Sequence, residues 1–401
     1  MSQRTKTVLL SLVLVVVLAG HGLVLRQVWE QILFGGADFT AFYAAGQVVS
    51  EGQGPQLYRY ETQQEFQRHL PWRKEPLPFY HPPYEVLLFL PLAQLPFPSA
   101  FLIWYAANLL LVGACALVRH PEDHPTLEAT LVRAIAMLLF YPVLLALLQG
   151  QDSVLLLLLI SLAFIALRQG RDLRTGCFLG LALFKFQFVL PLLLVFLWMK
   201  KTRVLAGVLA TLAVLTLVSV LLVGWEGVAD YPRFLLESNR SLGRGTIHPE
   251  SMPTVRGMLA LMPGGLPEPA LTVITAVLSA ALLIAGALQW PAGHGAPDSR
   301  FDLAFALSVV LAVLVSYHVN GHDLSLLLLP MGLLARHLRA TRGQGRLWRK
   351  LLTVLLAALF VPPFLFPGNF LAPSLAFWVM LLLSAAMIRE IRAQAAPGHA
   401  H

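Results

Sequence analysis

One acid stands out in residues 35–43 (GGADFTAFY), directly after the first hydrophobic stretch of the chain. We expect Asp38 to lie at a membrane surface, where a carboxylate is costly enough to require a reason. If a helix begins here, Asp38 and Phe42 share one face, and so do Phe39 and Tyr43. Aromatic rings beneath the acid would fix it and partly dehydrate it, which suits a general base. An Asp before an apolar run is also a frequent helix N-cap, so both roles remain open.

Tyrosines and a histidine follow in two groups, at residues 58–60 (YRY) and 79–85 (FYHPPYE). Tyr58, Tyr80 and their neighbours are typical of the aromatic belt that membrane proteins place at the lipid–water interface. Tyrosines also line sugar-binding sites, where rings stack on the sugar and hydroxyls bond its polar rim. Two prolines after His81 give the chain a rigid approach to the next apolar residues. The pattern favours the belt and leaves a sugar site open.

A polar tip, residues 148–153 (LQGQDS), separates two very apolar stretches. Gly150 suits a tight turn and Asp152 suits a helix cap, which together explain most of the pattern. The two glutamines, Gln149 and Gln151, are harder to explain in this way. Their amides would serve as hydrogen-bond donors to a ligand.

Lys185 lies in residues 183–188 (LFKFQF), with apolar sequence on both sides. A lysine near the end of a span usually extends its side chain to the surface. A cation deeper in the membrane would instead suit the phosphate of a lipid-linked substrate, and both interpretations remain open. The surrounding stretch, residues 175–199, also contains Pro191, so it is compatible with two half-length helices that line a polar cavity.

Residues 224–256 carry several cations, among them Arg244 and Arg256. We expect this segment to be a loop on the non-cytoplasmic face, where positive residues are normally few. A solvated loop explains any one of these cations, but the group as a whole indicates binding of an anion.

Residues 316–323 (SYHVNGHD) interrupt two apolar stretches with two histidines and an aspartate. His318 and His322 are four positions apart, as in some metal pairs, but no third ligand with suitable spacing is evident. Helix caps, together with hydrogen bonds from this segment to a phosphate or sugar, are the favoured interpretation. We accordingly expect neither a metal nor another cofactor.

These residues lie in a chain suited to a bilayer. It has 401 residues, of which 57% are hydrophobic and only 12% charged, against about 25% charged in a typical soluble domain. Long apolar runs predict an all-α, polytopic integral membrane protein with roughly eleven to thirteen spans. The net charge of +8 comes mostly from short connections and so reports orientation, not nucleic-acid binding. Cys115 and Cys177 lie in apolar stretches and are interpreted as packing residues.

The basic residues predict the sidedness of the chain. They cluster in short connections, which the positive-inside rule assigns to the cytoplasm. All the polar segments described above then lie on the opposite, non-cytoplasmic face. The basic clusters are at residues 4–6, 168–174, 200–203, 336–350 and 389–392.

The same pattern predicts one membrane domain, residues 1–392, followed by a polar tail, residues 393–401. Residues 27–81 and 224–256 are its two large outer loops. We expect the first span to be uncleaved, because its apolar core is long and lacks a clear small-residue cleavage site. A re-entrant segment at residues 84–97, which contain two prolines, would keep the charged connections on consistent sides.

The motifs, in this order, resemble those of the polyprenol-phosphate-dependent glycosyltransferases of family 87, within the GT-C class. The resemblance extends over residues 30–330, and its specificity comes from the ordered set, since each motif alone is weak. The family usually has tyrosine at the positions of Phe42 and His81 and proline at the position of Phe186. These differences concern the identity of the acceptor or donor sugar more than the class of enzyme. The matching elements are 38–43 (DFTAFY), Tyr58, 80–83 (YHPP), Pro91, 150–152 (GQD), the Lys185 segment and 317–323.

The resemblance implies a GT-C helical bundle that transfers a sugar, often mannose, from a polyprenyl-phosphate donor to a glycolipid or glycan acceptor. The transfer would take place at the outer face of a bacterial-type inner membrane. By the same resemblance, Asp38 is the general base of an inverting reaction. The residues implied to bind the donor phosphate are Lys185, His322, Arg244 and Arg256. Those implied to bind substrate are Phe42, Tyr43, Tyr58, Tyr80, His81, Gln151, Asp152, His318 and Asp323.

Two other classes of protein have a similar composition. A secondary transporter places charged residues near the midplane and often contains a repeat, whereas the polar residues here gather on one side and no repeat is evident. The other alternative is an inactive scaffold in envelope assembly, in which Asp38 would tolerate substitution.

Overall fold

The computed structural model describes residues 2–68, 76–237, 248–291, 298–341, 347–360 and 371–395. These residues are mainly helical and contain no β-strand, which confirms the predicted all-α class. Short 3-10 or π-helical turns join several helices. The helices are α1 (Gln3–Gln31), α2 (Phe39–Ser50), α3 (Tyr60–Gln67), α4 (Leu90–Ala93), α5 (Phe97–Leu117), α6 (Leu127–Leu139), α7 (Tyr141–Gln149), α8 (Ser153–Arg168), α9 (Asp172–Leu181), α10 (Phe186–Trp198), α11 (Thr202–Glu237), α12 (Val255–Ala260), α13 (Glu268–Ala287), α14 (Ser299–Val315), α15 (Leu328–Ala340), α16 (Leu347–Phe360) and α17 (Leu371–Ala395).

Within the described ranges, six helical stretches are long and apolar enough to cross a membrane, and one of them, Asp172–Trp198, consists of α9 and α10 together. A seventh crossing results if α6 and α7, which meet at a 69° bend, are one broken span. The chain is therefore a multi-pass helical membrane protein, as predicted. The predicted eleven to thirteen crossings would require shorter helices such as α8, which has 16 residues, to cross as well.

The chain divides into two compact units. The first comprises Met1–Leu162 and Val208–Thr246, and the second comprises Ala163–Gly207 and Ile247–His401. Each unit contains its own group of the polar residues selected from the sequence, so the two groups are described separately below.

Two predicted spans are broken where the sequence carries proline or charge. Residues 84–97 do not form one span-length helix, because a 3-10 turn, Pro83–Leu88, leads into the four-residue helix α4. A second 3-10 turn, Ala182–Lys185, joins α9 to α10, so two short helices meet at Lys185 within one span-length stretch. Backbone that leaves the regular helix in this way requires protein or water around it, so both breaks are places where polar groups can gather.

Residues 224–256 differ from the predicted loop. α11 continues to Glu237, interrupted at Gly224, whose φ is 68°. Phe234, on this continuation, is buried, and its ring lies 5.5 Å from that of Tyr58. Burial of aromatic surface on one helical face therefore decides the conformation of this segment, in spite of its many polar residues.

Aromatic rings form the core of the first unit around α2. Phe39 is fully buried and meets Phe101 edge to face, with 5.5 Å between ring centroids. Phe42, one turn later, stacks on Phe89 at 4.6 Å. Aromatic pairs at these separations add to the free energy gained by burial. They fix the first turn of α2, and with it the position of Asp38.

The turn between α7 and α8 depends on Gly150. Its φ of 63° is left-handed and ends α7. A Cβ at this position would lie 2.6 Å from the Cβ of Phe39. The Trp104 indole N–H donates to the Gly150 carbonyl at 2.8 Å. Gly150 thus lets the turn pack directly on the first residue of α2.

α14 lies at the core of the second unit. Its residues 302–314 are all buried, as expected for a helix that is apolar on every face. Asp302 is the charged residue in this buried stretch, and its carboxylate pairs with Arg168 at 2.5 Å. Small residues elsewhere in the unit allow close contact, since a Cβ at Gly176 would collide with the Val204 carbonyl oxygen.

We expect Gly150→Ala to lower the melting temperature in detergent more than Gly52→Ala. Both glycines have left-handed φ, 63° and 77°, so both substitutions carry a conformational cost of about 1–2 kcal/mol. Only at Gly150 does the new methyl group also meet Phe39, because nothing lies within 4 Å at Gly52. Equal decreases for the two variants would contradict the packing role of Gly150.

Candidate functional site

Asp38 is held at the start of α2 by two glutamines. Its Oδ2 accepts a hydrogen bond from Gln151 Nε2 at 2.9 Å. Its backbone N–H donates to Gln149 Oε1 at 3.0 Å. Asp38 occupies the N-cap position, but its side chain makes no capping hydrogen bond. Asp38 thus stands where an N-cap residue is expected, but its carboxylate does not cap the helix. Asp38 is partly exposed, and its carboxylate is bonded to Gln151.

The α7–α8 turn positions both glutamines. Gln149 is the last residue of α7, Gly150 reverses the chain, and Gln151 follows before α8 begins. Because Gly150 packs on Phe39, the amides on either side of it reach the neighbouring residue, Asp38. One amide binds the main chain and the other binds the carboxylate, so the pair restrains both the backbone and the side-chain torsions of Asp38.

A second polar cluster lies at the same turn. His81 Nδ1 is 2.7 Å from Glu85 Oε2 and 3.4 Å from Asp152 Oδ2. The side chains of Glu85 and Asp152 are 1% and 0% exposed, whereas that of His81 is 17% exposed. Among the described residues, this is the group of three whose ligand atoms could hold a metal ion, all within 4.8 Å of one another.

The aromatic candidates pack around these polar groups. The Phe42 ring is buried and lies 4.8 Å from that of His81. Tyr43 and Tyr58 each donate a hydroxyl hydrogen bond to a backbone carbonyl at 2.7 Å. Burial raises the pKa of Tyr58 well above its usual value, so its phenol remains a donor. A packing role thus explains Tyr43 and Tyr58, while Tyr80 keeps part of its surface exposed.

In the second unit, Lys185 is paired with a carboxylate. Its Nζ lies 2.5 Å from Asp323 Oδ1, and the two side chains are 3% and 2% exposed. Asp323 also accepts from the Asn320 backbone N–H at 2.9 Å and lies 3.2 Å from His322 Nδ1. Burial would raise the pKa of Asp323, but Lys185 and His322 hold it well below its usual range. Asp323 therefore explains how a lysine is tolerated in an apolar segment.

Arg256 and His318 have hydrogen-bonding capacity that the described part of the chain does not use. Arg256 Nη1 and His318 Nδ1 are buried and have no hydrogen-bond partner among the described residues. The Arg256 guanidinium lies 3.9 Å above the Tyr317 ring, and its Nη2 is 3.6 Å from the exposed Glu268. Burial lowers the pKa of His318, so its imidazole is neutral at pH 7. Buried polar atoms of this kind are uncommon and require an explanation such as a ligand.

The predicted residues thus gather in two groups, one in each unit. Arg244 lies outside the described residues. The metal pair of His318 and His322, which the sequence allowed but did not favour, has no third ligand within the described ranges. The first group comprises Asp38, Phe42, Tyr43, Tyr58, Tyr80, His81, Gln151 and Asp152. The second comprises Lys185, Arg256, His318, His322 and Asp323.

Sequence reasoning missed two residues of the first group and undervalued a third. Glu85 follows His81 by four positions, a spacing that would have suggested a pair. Trp104, which supports Gly150, lies inside an apolar helix and carries no signal of its own. Gln149 was noted only as a spare donor, whereas it accepts from the Asp38 backbone.

The fold and these sites define a multi-pass helical membrane protein with polar groups gathered where helices break. A model of glycosyltransferase family 87 matches residues 79–316, more than half of the chain. The chain belongs to this family and is a membrane glycosyltransferase. Asp38 precedes the matched range, so its role is argued from geometry. Comparison with curated proteins and with solved structures gave no match.

The Lys185–Asp323 pair predicts a pattern in a double-mutant cycle. Lys185→Met leaves the buried Asp323 carboxylate without its lysine and should destabilise the protein by about 3–5 kcal/mol, whereas adding Asp323→Leu should recover most of the loss. Lys201→Met is the matched control, because its pair with Asp172, 3.2 Å apart, is partly exposed. Melting temperatures in detergent provide the measurement. A double variant that is no more stable than Lys185→Met would contradict the pairing.

Proposed function

We propose that the protein is an inverting hexosyltransferase that takes a sugar such as mannose from a polyprenyl-phosphate donor. The acceptor is a hydroxyl group of a glycolipid or envelope glycan. The observation that carries the proposal is the partly exposed Asp38 carboxylate, which Gln151 orients at 2.9 Å. Family membership supports sugar transfer, and the donor, acceptor and mechanism belong to the proposal.

Asp38 acts as the general base. Its carboxylate takes the proton of the acceptor hydroxyl while the hydroxyl oxygen forms a bond to the anomeric carbon. On the opposite side of that carbon, the bond to the phosphate oxygen breaks, and its electron pair leaves with polyprenyl phosphate. Attack opposite the leaving group inverts the anomeric centre. A positioned base of this kind contributes about 10²–10⁴-fold to the rate.

Gln151 is a positioning residue in this account. Its amide donates to Oδ2 of Asp38 and so restrains the orientation of the carboxylate that receives the proton. The second glutamine, Gln149, fixes the backbone of Asp38 through a separate bond. Restraint of this kind lowers the entropic cost of bringing the base and the acceptor hydroxyl together.

The second unit supports a separate proposal about the donor. Arg256 Nη1 and His318 Nδ1 are donors suited to phosphate oxygens, and a guanidinium binds phosphate with good geometry. Negative charge develops on the phosphate as the sugar leaves, so donors aimed at it stabilise the transition state. Lys185 and His322 are proposed as further donor-binding residues, and both contact the Asp323 carboxylate, which holds them in place.

The proposed reaction takes place on the non-cytoplasmic face of a bacterial-type plasma membrane. The support is the sequence distribution of basic residues, which cluster in connections other than those that carry Asp38 and the α7–α8 turn. Tyr80, partly exposed near His81, is the proposed aromatic contact for the sugar.

Asp38→Asn should reduce transfer from polyprenyl-phosphate mannose to membrane acceptors by about 10²–10⁴-fold, because the amide cannot accept the proton. The loss should appear in kcat. The control is Asp230→Asn, which changes an acid in the same unit whose carboxylate is bonded to the exposed Arg233. Normal transfer by a stably folded Asp38→Asn protein would exclude Asp38 as the general base.

Arg256→Gln should lower kcat/KM for the polyprenyl-phosphate donor by about 10–150-fold, the effect of losing a hydrogen bond to a charged group. Arg256→Lys, which keeps the charge and loses the planar donor geometry, should fall between this variant and wild type. The control is Arg233→Gln, because the Arg233 side chain is 71% exposed. Equal donor kinetics for Arg256→Gln and wild type would exclude the phosphate role of Arg256.

A further inference from the structure

The side chains of Glu85 and Asp152 both point to one nitrogen atom of His81. Both carboxylates approach His81 Nδ1, Glu85 at 2.7 Å and Asp152 at 3.4 Å. Nδ1 carries at most one proton, and one N–H gives one well-directed hydrogen bond. Within this trio, the imidazole also brings at most one positive charge to two buried carboxylates. The trio thus places two buried carboxylate oxygens within 3.4 Å of one imidazole nitrogen.

A metal ion would satisfy all three groups at once. Bonds of about 2.1 Å place neighbouring tetrahedral ligands about 3.4 Å apart, the separation already present between Nδ1 and the Asp152 oxygen. The hydrogen bond to Glu85 would open slightly as the cation replaces the proton. The three ligand atoms lie within 4.8 Å of one another, so side-chain rotation is sufficient to close the site.

The surroundings favour a built site over a chance cluster of acids. Glu85 and Asp152 are buried, and the rigid Pro82-Pro83 pair precedes the turn that carries Glu85. On the same turn, the Tyr84 hydroxyl is buried and has no hydrogen-bond partner among the described residues. The 17% exposure of the His81 side chain provides a route from solvent.

We propose that His81, Glu85 and Asp152 bind a divalent transition-metal cation such as Mn²⁺ or Zn²⁺. One imidazole nitrogen and two carboxylate oxygens suit these ions, whereas Mg²⁺ and Ca²⁺ favour oxygen ligands alone. The proposed site differs from the prediction from sequence, which was that the protein binds no metal. No local sequence pattern indicates the site, because Asp152 lies 67 positions beyond Glu85.

The cation would join two parts of the first unit. Glu85 lies on the turn Pro83–Leu88, and Asp152 lies between Gln151 and the first residue of α8. A shared metal ion would therefore restrain the backbone next to the glutamine that orients Asp38. The proposed site is independent of which sugar is transferred.

Mn²⁺ binding to the purified full-length protein in detergent tests the proposal without an activity assay. Electron paramagnetic resonance of free Mn²⁺ during a titration should show one saturable site that Asp152→Asn and Glu85→Gln each weaken by at least about tenfold, since even outer-shell changes commonly cost 10–100-fold in metal affinity. Pulsed resonance on the bound ion should detect one coupled imidazole nitrogen. His81→Glu replaces that nitrogen with an oxygen ligand, so it should retain binding and lose the nitrogen coupling.

The control is the double variant His248→Gln/Glu250→Gln, which removes an exposed histidine–carboxylate pair 3.2 Å apart. It should bind Mn²⁺ as wild type does. Absence of saturable binding to wild type, or nitrogen coupling that persists in His81→Glu, would overturn the proposal. If Asp152→Asn does not fold, the wild-type and His81→Glu spectra decide alone. Because sugar transfer is not read, a negative result leaves the role of Asp38 untouched.

Discussion

The cost of keeping a carboxylate inside an apolar helical chain shapes this molecule. Each of three acids in non-polar surroundings is matched by a donor at short range: Asp38 by Gln151, Asp323 by Lys185, and Asp302 by Arg168. Removing one partner from such a pair lowers the stability of the protein, so the fold requires the donors as much as it requires the acids. Their rigidity is useful for chemistry, because groups that are fixed beforehand need no reorganisation during reaction.

The α7–α8 turn connects several of these features within four residues. Gln149 binds the Asp38 backbone, Gly150 permits contact with Phe39, Gln151 binds the Asp38 carboxylate, and Asp152 reaches His81. The two glutamines point to the same residue because a left-handed glycine lies between them. A short polar tip between two apolar helices is thus the scaffold of the candidate site in the first unit.

The sequence alone was enough to predict the class of protein, an irregular helix near Lys185 and most of the polar residues of the candidate site. Long apolar runs and charged residues within them are local signals, which can be recognised without knowledge of the fold. It could not pair Asp38 with Gln151 or Lys185 with Asp323, since those partners are more than a hundred positions apart and depend on packing. The sequence also did not indicate that the first part of the predicted outer loop at 224–256 is helical, with Phe234 buried. Its charge suggested Lys185 as a ligand for an anion, but Lys185 is paired with Asp323. Arg256, whose Nη1 has no hydrogen-bond partner among the described residues, is the better candidate for that role.

The central claim is that the Asp38 carboxylate removes a proton from the acceptor during sugar transfer. Chemical rescue tests it most directly: Asp38→Ala membranes are supplied with polyprenyl-phosphate mannose, with and without formate, and the glycosylated product is measured by mass spectrometry. Our account predicts that transfer is lost in Asp38→Ala and partly restored by formate, which supplies a carboxylate in the vacated space. Transfer by Asp38→Ala at the wild-type rate without formate would contradict it.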